Sequence, residues 1–152
     1  EGYAPHGIAI MIDCLTDNKN RTAMLVRSTL TKRGGNLGTD GSVSYLFKRL
    51  GVIEIEANDN FDEIMDIAIT ADSLDVVDCG DTYTIYTEPE NFLNVKTAFE
   101  ESGIKDFLRS EVSYVASNKI ALGEEDTEKV MDLIEALEDI DDVSSVYHNL
   151  DI

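Results

Sequence analysis

Apolar and polar residues alternate near the start of the chain and then change to a helical period. Isoleucines occupy every second position from Ile8 to Ile12, which predicts a buried strand over residues 7–15. Apolar residues next recur at helical spacing and predict a helix over 18–33, which Gly34 ends. The predicted inward face of this helix consists of Ala23, Val26 and Leu30.

The middle of the chain, residues 51–116, alternates between strand and helix patterns. Cys79, Gly80 and Asp81 form a tight-hairpin signal between two strands, and Pro89 opens the second helix of this segment. The predicted strands cover 51–56, 74–78, 82–87 and 108–115, with helices from Phe61 to Ala71 and from Pro89 to about Gly103. The order β-α-β-β-α-β is that of a ferredoxin-like, split-βαβ unit.

The remaining segments predict a second unit of similar type. Short strands are expected over 43–46 and 119–122, and a last strand over 143–147. An acidic first turn at Glu124 begins a helix whose apolar stripe is Val130, Leu133, Ile134 and Leu137. We therefore predict an α+β fold of two ferredoxin-like or split-βαβ-type units, one inserted in the other. Residues 1–50 and 117–152 would form a discontinuous α/β domain around the inserted domain 51–116, although two consecutive domains fit the pattern nearly as well.

Charge divides the chain unevenly. The formal net charge is −19, yet residues 1–50 hold seven basic and four acidic residues, whereas 51–152 hold five basic and 27 acidic ones. Phosphate contacts require Lys and Arg, so nucleic-acid binding by the chain as a whole is disfavoured. The asymmetry directs attention to the first 50 residues. The simpler interpretation of the acidic part is a solvated surface.

The predicted basic helix and the glycine-rich loop behind it are the candidate binding site. Arg21, Ser28 and Lys32 fall on the face opposite the apolar one. The candidate nucleic-acid-binding residues are Arg21, Arg27, Lys32, Arg33, Asn36, Lys48 and Arg49. Aromatic residues do not interleave with these cations, so stacking on single-stranded bases has little support.

The loop consists of Gly34, Gly35, Asn36, Leu37, Gly38, Thr39, Asp40, Gly41 and Ser42. Its spacing fits neither a P-loop nor a dinucleotide fingerprint. Two interpretations remain open, a turn that needs glycine for its backbone geometry and an anion-contacting loop beside Lys32 and Arg33.

Other site chemistry finds little support. Cys14 and Cys79 lack metal-type spacing and are expected to be free, buried thiols of a reducing compartment. The acidic run 138–142 lacks the spacing of an EF-hand, and His148 is expected to have a packing or surface role. No catalytic set stands out, so we expect a non-enzyme without cofactor or metal. No apolar run reaches membrane-spanning length, and no small-molecule substrate or membrane partner is implied.

Four segments carry a family resemblance. They are residues 1–7 (EGYAPHG), 13–21 (DCLTDNKNR), the loop 34–42 and 146–152 (VYHNLDI). Together they resemble the YebC/PmpR family, which includes the mitochondrial translational activator of cytochrome c oxidase subunit I, and for which the loop is a signature. Ala4 and His6 stand where that family usually has Gly.

The resemblance implies a non-enzymatic regulator of gene expression. It would contact DNA as a transcriptional regulator, or ribosomal RNA and the ribosome as a translation factor. It also favours the inserted arrangement of domains. The chain corresponds to the second and third domains of the family and lacks the basic, helical N-terminal domain. A bacterial cytoplasm is expected, with the mitochondrial matrix as the alternative. A second hypothesis remains open, in which the acidic unit 51–116 is a ligand-sensing or protein-interaction module without nucleic-acid binding.

Overall fold

The computed structural model describes residues 1–58 and 60–151. Within them the chain forms two four-stranded sheets and four α-helices. Two compact units result, one made of Glu1–Lys48 together with the chain from Val115 onward, the other of Arg49–Tyr114. The α+β class predicted from the sequence is confirmed.

The first unit contains strands β1 (Gly2–Tyr3), β2 (Ala9–Cys14), β3 (Asn36–Leu37) and β8 (Val143–His148), with helices α1 (Lys19–Lys32) and α4 (Glu124–Glu138). The strand order is β3-β1-β2-β8, and the neighbouring strands are antiparallel. Both helices contribute to one apolar core with the sheet, because Ile8 and Ile10 pack with Leu30 of α1 and Leu133 of α4. All four residues of the predicted α4 stripe are buried.

Helix α1 begins and ends at the residues that the sequence indicates. The side chain of Asn18 accepts a hydrogen bond of 3.1 Å from the amide of Arg21, which satisfies one of the free donors of the first turn. Gly34 follows the last turn with φ of 82°, a conformation that glycine adopts without strain. The inward face differs from the prediction, since Thr22 is buried and Ala23 is exposed.

The second unit contains β4 (Phe47–Glu56), α2 (Phe61–Thr70), β5 (Asp75–Asp78), β6 (Thr82–Thr87), α3 (Phe92–Glu101) and β7 (Arg109–Ala116). The strand order β5-β6-β4-β7 with this chain order is the ferredoxin-like arrangement. Ile53 and Ile85 of the central strands pack with Ile64 of α2 and Phe99 of α3 in a single apolar core.

Four short elements were predicted wrongly or missed. Residues 43–46 do not form a strand, since Ser44–Leu46 is a 3-10 helix and β4 begins immediately after it. Residues 119–122 form only an isolated parallel bridge between Ile120 and Leu150. β1 and β3 had no sequence signal of their own, because a two-residue strand is too short to show alternation.

Candidate nucleic-acid interface

Arg21 is already held by carboxylates of its own unit. Its Nη2 atom lies 3.2 Å from Asp17 and 3.3 Å from Asp142. Asp142 Oδ2 also lies 2.8 Å from the Thr22 hydroxyl and 3.0 Å from the Thr16 hydroxyl. These hydrogen bonds, that of Thr22 first, lower the pKa of Asp142. Arg21 therefore belongs to a network that joins the start of α1 to the turn before β8.

Arg27 and Lys32 are exposed cations in the middle and last turn of α1, and Lys19 is a further exposed cation at its start. Neither Arg27 nor Lys32 makes an ion pair with a carboxylate within residues 1–58 and 60–151. Arg27 lies about 120° around the helix axis from Arg21, because each residue turns an α-helix by about 100°. Met24 and Ser28 lie between Arg27 and Lys32 on the outward face, and both are exposed.

Arg33 lies at the end of α1 in a more acidic environment. It lines a groove of about 480 Å³ together with Pro5 and one side of α4. The other charged residues lining this groove are Lys129, Asp132, Glu135 and Asp139. The three carboxylates reduce the positive potential at Arg33, so this residue is a weaker anion site than its exposure suggests.

The glycines of the loop 34–42 are required by backbone geometry. Gly34 and Gly41 have φ of 82° and 85°. A Cβ atom on Gly35 would lie 2.5 Å from the carbonyl oxygen of Tyr3, and one on Gly38 would lie 2.5 Å from the Ser42 hydroxyl. Gly35 therefore allows the loop to pack against β1, Gly34 and Gly41 supply the positive φ, and Gly38 leaves room for the Ser42 side chain.

The end of the loop binds an anion, and that anion belongs to the chain itself. The Glu1 carboxylate accepts hydrogen bonds from the backbone amides of Gly41 (2.6 Å), Ser44 (2.7 Å) and Val43 (3.2 Å). These bonds, that of Gly41 first, lower the pKa of Glu1 against the opposing effect of burial. Amides that an external phosphate would use at this end are thus already occupied.

Most other amides of the loop also donate within the chain. Those of Gly34 and Gly35 donate to carbonyls in the last turn of α1, and that of Gly38 donates to the carbonyl of Glu1. The Ser42 amide donates to the carbonyl of Thr39. The loop therefore acts mainly as a fixed connection behind α1.

The three remaining candidates point in different directions. Leu37 packs against the core of the first unit, so Asn36, its neighbour on β3, points to the opposite face of the sheet. Lys48 and Arg49 are consecutive on β4 and are both exposed. Consecutive strand residues point to opposite faces, so these two cations do not share one surface.

Several residues of the site carried no clear sequence signal. Glu1, Thr16, Thr22 and Asp142 organise the loop and the start of α1, yet their partners lie far away in the sequence. The bond between Thr22 and Asp142 spans 120 positions. Glu1 and Thr16 lie in the runs 1–7 and 13–21 already noted as family motifs, whereas Thr22 and Asp142 belong to no such run.

The remaining candidates for site chemistry are the two cysteines and His148. The thiols of Cys14 and Cys79 are free as predicted but exposed, so the prediction that they are buried was wrong. Burial, and secondarily Lys119, lowers the pKa of His148, whose Nδ1 accepts a hydrogen bond from the Leu150 amide. Over residues 1–58 and 60–151, no group of His, Cys, Asp and Glu is arranged to hold a metal ion. In the same part of the chain, none of the helices has the length and apolar character needed to cross a membrane.

Curated bacterial proteins are similar to this chain over almost its entire length. A protein of Nitrosococcus oceani is 46% identical over 152 residues, which cover 99% of this chain and 61% of that protein. A Nitratiruptor protein is 47% identical over 150 residues, covering 99% and 63%, and a Rhodococcus erythropolis protein is 43% identical, covering 100% and 61%. All three are named "Probable transcriptional regulatory protein". The chain spans about three fifths of the length of these relatives.

A solved structure supports the fold. The crystal structure of a conserved hypothetical protein from Aquifex aeolicus superposes with a TM-score of 0.84 at 40% sequence identity. The match covers 99% of this chain and 63% of the Aquifex chain. The family model described as the second and third domain of TACO1/YebC matches residues 1–150. The chain therefore belongs to the TACO1/YebC family.

Proposed function

We propose that this chain is part of a non-enzymatic regulator of gene expression that contacts nucleic acid through the outward face of α1. Arg27 and Lys32 are the primary phosphate contacts in this proposal. Arg33 assists at the end of the helix, and Arg21 acts mainly through the Asp142 network. The names of the relatives support a transcriptional role for the full-length proteins.

One observation carries the proposal. Arg27 and Lys32 are exposed on one helix and make no ion pair with the described carboxylates, in a chain with a net charge of −19. Most other cations of the described residues are likewise unpaired, so these two are distinguished by their place on the outward face of α1, in the less acidic part of the chain. Two cations that stay unpaired can each neutralise a phosphate and release its counterions.

In this proposal the loop 34–42 holds the end of α1 in place and does not itself bind phosphate. Its internal hydrogen bonds and the Glu1 carboxylate fix the backbone directly behind Lys32 and Arg33. A fixed backbone lowers the entropy lost when these long side chains bind an anion. Asn36, Lys48 and Arg49 are secondary candidates, because their side chains point away from the helix layer or from each other.

The experiment compares the unmodified chain with the double variant Arg27→Glu, Lys32→Glu in binding to duplex DNA and to ribosomes. Affinity is measured over a salt series, by retardation for DNA and by co-sedimentation for ribosomes. The slope of log K against log salt should fall by about 2 in magnitude, one for each lost contact.

A matched control reverses the charge of two exposed lysines outside α1. The variant Lys105→Glu, Lys119→Glu changes the net charge equally and should leave the slope close to that of the unmodified chain. Equal losses in both variants would attribute binding to net charge and would contradict the assignment to α1. The same substitutions in the full-length Nitrosococcus oceani relative test whether the remainder of that protein is needed.

DNA and ribosomal RNA both present phosphates at the spacing of a polyanion, and the outward face of α1 fits either. Arg and Lys contact phosphates as well as guanine edges, so the proposal for Arg27 and Lys32 requires backbone contact and leaves base readout to the experiment. Preferential binding to ribosomes would favour translation as the regulated step. Preferential binding to one duplex sequence would favour transcription.

A further inference from the structure

One face of the sheet in the second unit carries no helix of that unit. Helices α2 and α3 both pack against the face that displays Ile53 and Ile85. Strand register places the alternate residues on the other face, which we call the open face. Opposed rows there are Val52, Tyr86 and Asp75, then Glu54, Thr84 and Val77, then Glu56 and Thr82. Val52 and Thr84 on this face are buried, and its exposed part consists of Glu56, Asp75 and Val77 with the half-buried Glu54 and Tyr86.

The open face is acidic. Glu54, Glu56 and Asp75 make no ion pair with any cation in residues 1–58 and 60–151. Arg109 of β7 supplies a cation close to Tyr86, but its Nε atom lies 2.6 Å from Glu111, which neutralises it. Three unpaired carboxylates therefore determine the charge of the exposed part of this face.

Tyr86, on the central strand β6, lies directly opposite Asp75 and diagonally next to Glu54. Its side chain is half-buried, and burial raises the pKa of its phenol, with Cys79, Glu54 and Asp75 adding to the effect. Val77, on the neighbouring edge strand, is exposed. Aromatic residues are enriched in protein-binding surfaces, whereas carboxylates belong to their rim, so Tyr86 and Val77 would be the apolar contact and the carboxylates its charged border.

The charge of the whole unit determines which kind of partner fits. Residues 49–114 contain 16 acidic and four basic residues. This surface repels phosphate and attracts cations over about a Debye length. We propose that the open face docks a lysine- and arginine-rich segment of a partner protein, whose cations pair with Glu54, Glu56 and Asp75 and contact the Tyr86 ring.

This docking surface is separate from the nucleic-acid contact proposed for α1. A regulator with both would bind a polyanion through its first unit and a basic protein through its second. The two proposals use different residues, so either can fail without the other.

The test uses the full chain and a fluorescently labelled peptide of alternating lysine and alanine. Association is measured by fluorescence anisotropy at near-physiological salt for the unmodified chain and for Glu54→Gln, Asp75→Asn. The matched control is Glu100→Gln, Glu101→Gln, which removes two exposed carboxylates from the end of α3. The face variant should bind about tenfold more weakly, and the control variant less than about twofold.

A second pair of variants tests whether the aromatic ring of Tyr86 contributes to peptide binding. Tyr86→Phe keeps an aromatic face and should bind the peptide as the unmodified chain does. Tyr86→Leu removes it and should weaken binding about threefold. Circular dichroism and thermal unfolding identify any variant that fails to fold, and the charge pair tests the proposal in that case.

Two results would overturn the proposal. Equal weakening in the face and control variants would show that the peptide responds only to net charge. Alternatively, sedimentation could show that the chain self-associates and that the face variant alone abolishes this, without a change in peptide affinity. The open face would then be covered by a second copy of the chain.

Discussion

The Oε2 atom of Glu1 accepts a hydrogen bond of 2.6 Å from the backbone amide of Gly41, 40 positions away in the sequence. This bond determines how the glycine-rich loop is interpreted. Glycine-rich loops often present amides to an external anion. Here the amides of Gly41, Val43 and Ser44 enclose a carboxylate of the chain itself, and for this reason the proposed phosphate contacts are side chains of α1 rather than loop amides.

Glu1→Gln should destabilise the fold by about 1–2 kcal/mol, because it weakens charge-assisted hydrogen bonds to three amides. The pKa of Glu1 is lowered on folding, so its contribution is complete above the ordinary carboxyl pKa. It is lost as the pH falls through the folded-state value. Urea unfolding of both proteins at about pH 7 and about pH 3 should show a larger difference at the higher pH. Asp40→Asn, on the same loop, is the control and should be neutral.

Gly35→Ala should be among the most destabilising single-methyl additions in the chain. The new Cβ would lie 2.5 Å from the backbone oxygen of Tyr3, so β1 and the loop must separate. We expect a loss of about 2–3 kcal/mol, typical of overpacking against backbone. Gly123→Ala adds the same methyl group to open space at the N-cap of α4, where Ala is a poorer cap than Gly, and should cost at most about 1 kcal/mol. Similar thermal midpoints for the two variants would contradict this account.

His6 occupies a left-handed conformation with φ of 66°, which favours glycine. Its Nε2 atom lies 3.2 Å from Asp126, and this contact complicates any single substitution. His6→Gly and His6→Ala both remove the contact with Asp126, but glycine adopts a positive φ without strain and alanine does not. His6→Gly should therefore be the more stable of the two by about 1 kcal/mol in chemical denaturation. An alanine variant of equal stability would show that the local backbone relaxes.

Thr22→Val should cost about 1 kcal/mol although it preserves volume, because it removes the hydroxyl bonded to Asp142. The pKa of Asp142 is lowered in the folded chain by the Thr22 and Thr16 hydroxyls. The same network should therefore stabilise the fold above the ordinary pKa of an aspartate and lose that effect as the pH falls through the lowered value. In Thr22→Val the titration of Asp142, followed by NMR, should move upward. An unmoved titration would mean that the hydroxyl is replaced by solvent.

Arg21→Ala and Arg27→Ala should separate structural from binding roles on α1. Arg21 pairs with Asp17 and Asp142, so its removal should lower the thermal midpoint and raise the pKa of Asp142. Arg27 makes no such pair with the described residues, so its removal should leave the midpoint unchanged and weaken nucleic-acid binding. If Arg27→Ala instead lowered the thermal midpoint and Arg21→Ala weakened nucleic-acid binding, the roles of the two arginines would be exchanged.

The sequence by itself determined the features that depend on near neighbours. Periods of two and of about 3.6 identified the long strands and all four helices, because a strand or helix of that length repeats its pattern several times. Gly34 and Asn18 marked the ends of α1 through local backbone chemistry. The concentration of carboxylates after residue 50 is equally a property of the sequence alone.

Only the tertiary structure decided which polar groups meet. It placed Thr22 rather than Ala23 toward the interior, because the hydroxyl is satisfied by an aspartate 120 positions away. It paired Arg21 with Asp142 and left Arg27 and Lys32 free of the described carboxylates. It also placed the Glu1 carboxylate where amides at the end of the loop donate hydrogen bonds to it. The side chains of Asn36, Lys48 and Arg49 point in different directions. Local propensity acts over a few residues, whereas these contacts exist only after the strands have been brought together. They therefore cannot be predicted from a pattern along the chain.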